Sequence, residues 1–298
     1  MERRRFGGTD MDVSVLGFGS SEIGFQGTAE ETVSRLLNEA LDQGLNVIDT
    51  AECYLTSEAL IGNTISHRRD DYFLFTKCGH PDGLGSEDWS ISGILSSIQR
   101  SLRRLKTDCV DLVLLHTCSE QMLRQGDVIE ALQQARDRGY TRYIGYSGDR
   151  MEMKYAIECG AFDAIETSMS IADQQPLTLT LPLAKERNLG VIIKRPIANA
   201  AWKASQEPVN PYVKTYRDRL AALVYDFLKE DLQTSVGVAL RFTAAGPGVH
   251  TLIVGTTKPG RWQENATLLE AGPLANEEAQ KIHDRWKEVA DDTWIGES

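Results

Sequence analysis

Residue types suited to proton chemistry stand at the ends of three successive short apolar runs. LNVID ends on Asp49 and continues to Tyr54, YFLFTK ends on Lys77, and DLVLLH ends on His116. A phenol, with a pKa of about 10, is too weak an acid to protonate a nascent alkoxide well at neutral pH. A lysine ammonium beside it favours the phenolate and pulls that pKa down. In a closed site the ammonium needs a carboxylate to hold it, a part Asp49 can take. A neutral His donates a hydrogen bond to a substrate oxygen and aims it. Such a set polarises a carbonyl but supplies no hydride, so it calls for a redox cofactor. Each residue alone has a plainer reading, as a structural His, a solvated Lys or a packing Tyr. Their convergence on one mouth turns the reading toward chemistry.

The elements that must position them alternate regularly. Strand-like runs cover 13–19, 45–50, 72–77, 110–116, 143–147, 164–167, 191–194 and 251–254. Several are apolar without alternation (VLLH, VIIK, TLIV), as parallel strands covered by helices are. Helical periodicity falls at 29–42, 57–65, 91–105, 121–138, 150–158, 178–188, 212–229 and 259–270. Thr28 with Glu31 reads as a capping box, and Gly44, Gly139 and Gly190 read as helix closures before the next strand. Eight βα units predict an α/β fold, a closed (β/α)8 TIM barrel forming one domain over 1–298. A hairpin over 4–13 turning at Gly7-Gly8, a helix near 235–244 and a C-terminal helix over 276–290 are additions.

The net charge of −11 argues against a non-specific nucleic-acid binder or a binder of anionic membranes. The five cysteines are widely spaced with no C-x-x-C pair, so neither a disulfide framework nor a structural zinc site is expected, and no metal is. The start, MERRRFGGTDMD, lacks the apolar core of a signal peptide, and no run reaches bilayer length. A cytoplasmic protein is the expectation, with its oligomeric state open.

The stretch NVIDTAECYLTSEALIG resembles the signature of the aldo-keto reductase family, in which an Asp, a Tyr, a Ser-Glu and a Gly recur in this order. FLFTK and LVLLH resemble that family's lysine and histidine strands, VLGFGSSEIG its first strand, and IVGTTKPGRWQENA its cofactor segment. The resemblance runs from about 4 to 269. It implies Tyr54 as general acid, Lys77 and Asp49 as its tuning pair, and His116 as orienter. It also implies NADPH/NADP+ extended across the barrel mouth. The contacts implied are Gly19, Ser20, Ser21, Asp49, Ser147 and Glu166, then Arg195, Pro196, Ile197, Ala198 and Asn199, then Gly255, Thr256, Thr257, Lys258, Arg261, Glu264 and Asn265. Lys258 and Arg261, close to a helix start, suit a 2′-phosphate. Arg195 resembles an arginine that stacks on the nicotinamide, with a surface salt bridge as the alternative. No G-x-G-x-x-G follows the first strand, so a Rossmann reading is poor.

The sequence departs from the common family pattern in three places. Gly148 stands where many members have Asn, Glu166 where they have Gln, and Leu55 where Gly is common. An ionised Glu166 can accept from an amide nitrogen but cannot donate to an amide oxygen. By loop position Ile23, Phe25, Trp89, Thr117, Cys118, Trp202 and Tyr212 are candidates to line the mouth. The loop over 199–215, with Pro208 and Pro211, is expected to act as a lid. The implied substrate is a small-molecule carbonyl or a sugar. Two other functions compete, a non-catalytic NADPH-binding regulatory subunit and a lyase or hydrolase using Lys77 as a Schiff-base nucleophile.

Overall fold

The computed structural model describes residues 1–81, 83, 85–203 and 211–297, without the side chains of Pro211 and Tyr212. It opens on the expected hairpin, β1 (Arg3–Arg5) paired antiparallel with β2 (Asp12–Ser14). Eight parallel strands follow: β3 (Leu16–Gly19), β4 (Val47–Asp49), β5 (Phe73–Cys78), β6 (Val110–His116), β7 (Thr141–Ser147), β8 (Ala164–Ser168), β9 (Gly190–Lys194) and β10 (Thr251–Val254). Sequential strands pair, and β10 closes the barrel by pairing with both β9 and β3. Helices cover the outside, which is why a run such as VDLVLLH is buried at every position.

Alternation along the strands decides what faces inward. Val47, Phe75, Leu114, Ala164 and Ile192 fill the interior. Two residues further on, the same face presents Asp49, Lys77, His116, Glu166 and Lys194 at the C-terminal mouth. Ser147 joins this ring through its pairing with His116 and Glu166. The opposite end is plugged by the hairpin, whose Phe6, Met11 and Val13 pack into the inner cluster. A Cβ on Gly7, at φ +54°, would sit 2.4 Å from the Gly190 nitrogen, so the plug requires glycine there.

Several helix expectations are corrected. The segment over 121–138 divides at Gly126 (φ 92°), which ends Glu120–Gln125 and begins Asp127–Asp137. The segment over 178–188 divides at Thr180, between Pro176–Leu179 and Leu181–Glu186, where Pro182 lacks the N–H a continuous helix needs. The helix expected over 212–229 stops at Leu223, and Val224 turns left-handed before a short 3-10 segment. Thr28 makes no capping bond, since the helix Glu30–Asp42 starts from Ala29. Gly190 lies inside β9 against the Phe6 ring, and Asn188 takes the left-handed turn instead. The helix near 235–244 starts earlier, at Leu232, because the Asp231 carboxylate accepts from the Gln233 and Thr234 N–H groups. Among the described residues no helix is long and apolar enough to cross a membrane.

His250 couples the plug to the barrel. Its Nδ1 accepts from Val191 N–H at 3.0 Å, and its ring lies edge-on to Phe6 at 5.6 Å. Burial and then Arg4 push His250 down to about 4. The unfolded chain takes up this proton near pH 6.5, so the contribution is complete above that pH and is lost as pH falls toward 4. This site should therefore account for about 3 kcal/mol of acid destabilisation. His250→Asn retains an acceptor for Val191. Its urea midpoint should fall less than that of the wild type between pH 7 and 4, and parallel curves would refute the assignment.

Candidate active site

Lys77 stands at the centre of the mouth and is fully buried. Its ammonium donates to Asp49 Oδ1 at 2.5 Å and to the Thr50 carbonyl at 3.1 Å, and pairs with Glu166 Oε2 at 3.2 Å. Asp49 is the partner expected from sequence; Glu166, separated from Lys77 by β6 and β7, is an additional one. Burial opposes the Lys77 charge, but Asp49, Glu166 and Tyr54 outweigh it and hold the ammonium above its ordinary range. Burial and then Glu166 push the Asp49 carboxyl up, with Lys77 pulling the other way. Two acids thus surround one buried ammonium.

Tyr54 lies over this cluster, with Lys77 Nζ 5.4 Å from its ring centre. Lys77 does draw the phenol pKa down, as expected, but burial raises it by more. The expected lowering is corrected: this tyrosine is a phenol at neutral pH, ready to donate.

The loop carrying Tyr54 is held by the other residues of its motif. Glu52 accepts from Arg100 Nε at 2.7 Å and from the Ser97 hydroxyl; Glu58 accepts from Thr76 at 2.7 Å and from Arg104 at 3.3 Å. The Ser57 hydroxyl lies 2.8 Å from Ser20 Oγ, and Ser20 donates to the Asp49 carbonyl at 2.7 Å. Gly62 allows close helix packing, since a Cβ there would lie 2.1 Å from the Arg104 carbonyl oxygen. Leu55 occupies a left-handed position (φ 49°), which explains the preference for glycine. Its side chain is 60% exposed.

His116 faces Tyr54 edge-on at 5.9 Å. Burial, then Lys77 and Lys194, push its pKa well below the ordinary range, so the ring is neutral. Cys53 Sγ lies 3.4 Å from Nδ1, and burial raises that thiol to about 12. The protonated thiol donates to Nδ1, which leaves the ring proton on Nε2. His80 Nε2 lies 2.8 Å from the His116 carbonyl and its Nδ1 3.1 Å from the Ser86 carbonyl. Neither Cys53 nor His80 was singled out from sequence; the C-Y dipeptide was the available signal for the first.

The far side of the ring differs from expectation. A Cβ on Gly148 would lie 2.7 Å from the Tyr146 ring, so no Asn fits there. Asp149 turns in instead, accepting from Thr167 at 2.8 Å and Ser168 N–H at 2.7 Å and pairing with Lys194 at 3.2 Å. Lys194, rather than Arg195, is the strand residue that faces inward. Arg195 donates to Ser168 Oγ at 2.8 Å and to the Glu297 carbonyl of a C-terminal segment lying across this rim. That segment is fixed by Arg150 on the Gly296 carbonyl (2.7 Å) and Arg219 on the Ile295 carbonyl (2.9 Å). Ala198, Asn199 and Ala200 follow in left-handed conformation.

Among the ring oxygens, Ser147 Oγ is buried without a hydrogen-bond partner, as expected of a group that meets a ligand, while Glu166 Oε2 is paired with Lys77. On the β3–β10 side of the mouth stand Gly19 and Gly255, and the Glu22 carboxylate reaches over Gly255. Ser21 donates to Glu22 at 3.0 Å. Further out, Arg261 opens the helix Arg261–Glu270 and pairs with Glu264 at 2.8 Å; Asn265 is buried beside it. Lys258 N–H is held by Thr256 Oγ1 at 3.1 Å, and Thr257 donates to Gln26 at 3.4 Å.

Of the candidate lining residues, Phe25 meets the Tyr54 ring at 5.7 Å and Trp89 meets His80 at 5.4 Å. Thr117 caps the His116 carbonyl at 2.6 Å. Ile23 and Cys118 are core residues, and Trp202 packs against the core. The Tyr212 side chain and Pro208 lie outside the described residues.

Comparison with known proteins agrees with this geometry. The model of the Aldo/keto reductase family matches residues 15–287. The chain is 28% identical to the uncharacterized oxidoreductase YqkF of Bacillus subtilis over 97% of both chains. It is 28% identical to L-galactose dehydrogenase of Arabidopsis thaliana over 99% of this chain and 97% of that one. The holo form of aldo-keto reductase AKR11C1 from Bacillus halodurans superposes with a TM-score of 0.84 at 29% identity, covering 99% of each. An inward ring of Asp49, Lys77 and His116 below Tyr54, on a closed barrel that matches the family model nearly end to end, makes this chain an oxidoreductase of the aldo/keto reductase family.

Proposed function

We propose that the chain is a single-domain, cytoplasmic, NADP(H)-dependent enzyme that reduces an aldehyde or ketone, or oxidises the matching alcohol or sugar, with Tyr54 as general acid and base. One observation carries this reading: a charged, buried Lys77 lies under a protonated Tyr54 and beside a neutral His116. A carbonyl oxygen between the Tyr54 hydroxyl and His116 Nε2–H would accept from both. Tyr54 then delivers its proton as the alkoxide develops, and Lys77 stabilises the phenolate left behind. His116, unable to take up a proton at neutral pH, aims the substrate without competing for that proton. In the reverse direction Tyr54 recovers the proton from a hydroxyl. The nicotinamide, when bound, supplies or accepts the hydride.

The residues present fit that cofactor. Ser147 Oγ, which has no partner, can donate to a carboxamide oxygen, and the Glu166 carboxylate can accept from its nitrogen. Gly19, Ser21 and Gly255–Thr257 border the β3–β10 side of the mouth, and residues 195–199 border the opposite side. Lys258 and Arg261 would receive the 2′-phosphate, with Glu264 and Asn265 toward the adenosine. The kinship to L-galactose dehydrogenase supports a sugar among the substrate classes.

Titration with NADPH, then assay against aldehydes, ketones and aldoses in both directions, tests the proposal. Tyr54→Phe should lower turnover about 10²-fold or more and leave the NADPH dissociation constant within about threefold. Full activity in that variant would refute Tyr54 as the acid. Cofactor binding without turnover across the panel would favour a regulatory subunit. Arg261→Ala should weaken NADPH about tenfold while leaving NADH nearly unchanged; an equal loss for both would refute its phosphate role.

A further inference from the structure

One loop reaches both groups that would donate to the substrate oxygen. Tyr54 belongs to it, and the residue before it, Cys53, places its sulfur 3.4 Å from His116 Nδ1. Both Cys53 and His116 are buried, and among the described residues Cys53 is the one hydrogen-bond partner of that nitrogen. Backbone bonds on either side hold the thiol in place. Glu52 N–H donates to the Lys77 carbonyl at 3.1 Å, Tyr54 N–H to the Ala51 carbonyl at 3.1 Å, and Ser57 N–H to the Tyr54 carbonyl at 3.0 Å. His116 is held from its own strand, where Thr117 N–H donates to the Ser147 carbonyl at 2.8 Å and His80 Nε2 lies 2.8 Å from the His116 carbonyl.

A neutral imidazole has one N–H, and the nitrogen that bears it decides what the ring can do. Burial, then Lys77 and Lys194, keep His116 neutral. The bare nitrogen of such a ring accepts a hydrogen bond well, whereas a thiol sulfur is a weak acceptor. Burial also keeps the proton on the Cys53 sulfur, against the pull of Lys77. The S–H therefore points to Nδ1, and the ring N–H stands on Nε2. In the opposite tautomer Nε2 would present a lone pair, and a carbonyl oxygen before it would meet a second acceptor instead of a donor. The ring would then repel the oxygen it has to aim.

We propose that Cys53 is a positioning residue that holds His116 in its Nε2–H tautomer, so that the loop presenting Tyr54 also sets the second donor to the substrate oxygen. The inference rests on the carbonyl position proposed above. Cys53 gives up no proton in the reaction; its effect passes through the imidazole.

Nitrogen NMR of the full chain, isotope-labelled at its histidines, reads the tautomer directly. The His116 signals, identified by their loss in His116→Asn, should show a protonated Nε2 and a bare Nδ1 at neutral pH. The reverse pattern in the wild type would overturn the proposal without any change to Cys53. Cys53→Ala removes the donor and should lower kcat about tenfold, leave the NADPH dissociation constant within about threefold, and let the His116 signals report both tautomers. Cys53→Ser keeps a donor and should recover most of the lost turnover. An alanine variant within about twofold of the wild type, or a serine variant as slow as the alanine one, would also overturn the proposal. A wild type with the Nε2–H tautomer that turns over no carbonyl or alcohol would instead refute the proposed reaction, and the positioning role with it.

Discussion

An ammonium buried at the centre of the barrel mouth governs the groups around it. Removing a charge from water costs several kcal/mol, and the protein recovers this only when counter-charges and hydrogen bonds surround the ion. Lys77 has Asp49 from the neighbouring strand, the Thr50 carbonyl, and Glu166 from across the barrel. Its positive charge helps keep His116 neutral and offsets part of the burial penalty on the Tyr54 phenolate. Tyr54 and His116 thus take their protonation states chiefly from burial, which Lys77 and Lys194 reinforce at His116 and Lys77 opposes at Tyr54.

The loop between β4 and the helix Ser57–Ile65 gives that chemistry its geometry. Two buried acids, Glu52 and Glu58, anchor it to Arg100 and Arg104 on one helix, and Ser57 ties it to Ser20 at the end of β3. Gly24 allows the approach of the neighbouring helix, since a Cβ there would lie 2.1 Å from the Tyr54 carbonyl oxygen. The motif residues that surround Tyr54 therefore act through packing and ion pairs, while Tyr54 itself remains partly exposed at the mouth. Left-handed backbone at Leu55, and again at Ala198–Ala200, places strain at the rim of the site.

The opposite rim is organised around Asp149. With Tyr146 filling the space beside Gly148, the chain turns one residue later, and Asp149 collects Thr167, Ser168 and Lys194. The C-terminal segment then covers this edge through Arg150, Arg195 and Arg219. Departures from the common family pattern are thus compensated locally, and Ser147 Oγ remains without a partner in the ring.

The sequence alone determined the βα alternation and, with it, the placement of Asp49, Lys77 and His116 at strand ends. Those properties are local: apolar runs, helical periodicity and turn residues report on nearest neighbours. It also exposed Gly148 and Glu166 as departures. Pairing across the ring was not legible there. That Glu166 meets Lys77, that Lys194 rather than Arg195 turns inward, and that Cys53 reaches His116 depend on closure and strand register, which bring together residues far apart in the chain. The Tyr54 acidity shows the same limit. Its lysine neighbour was readable from the chain, but only the depth of burial in the folded barrel decided which of the two opposing effects prevails.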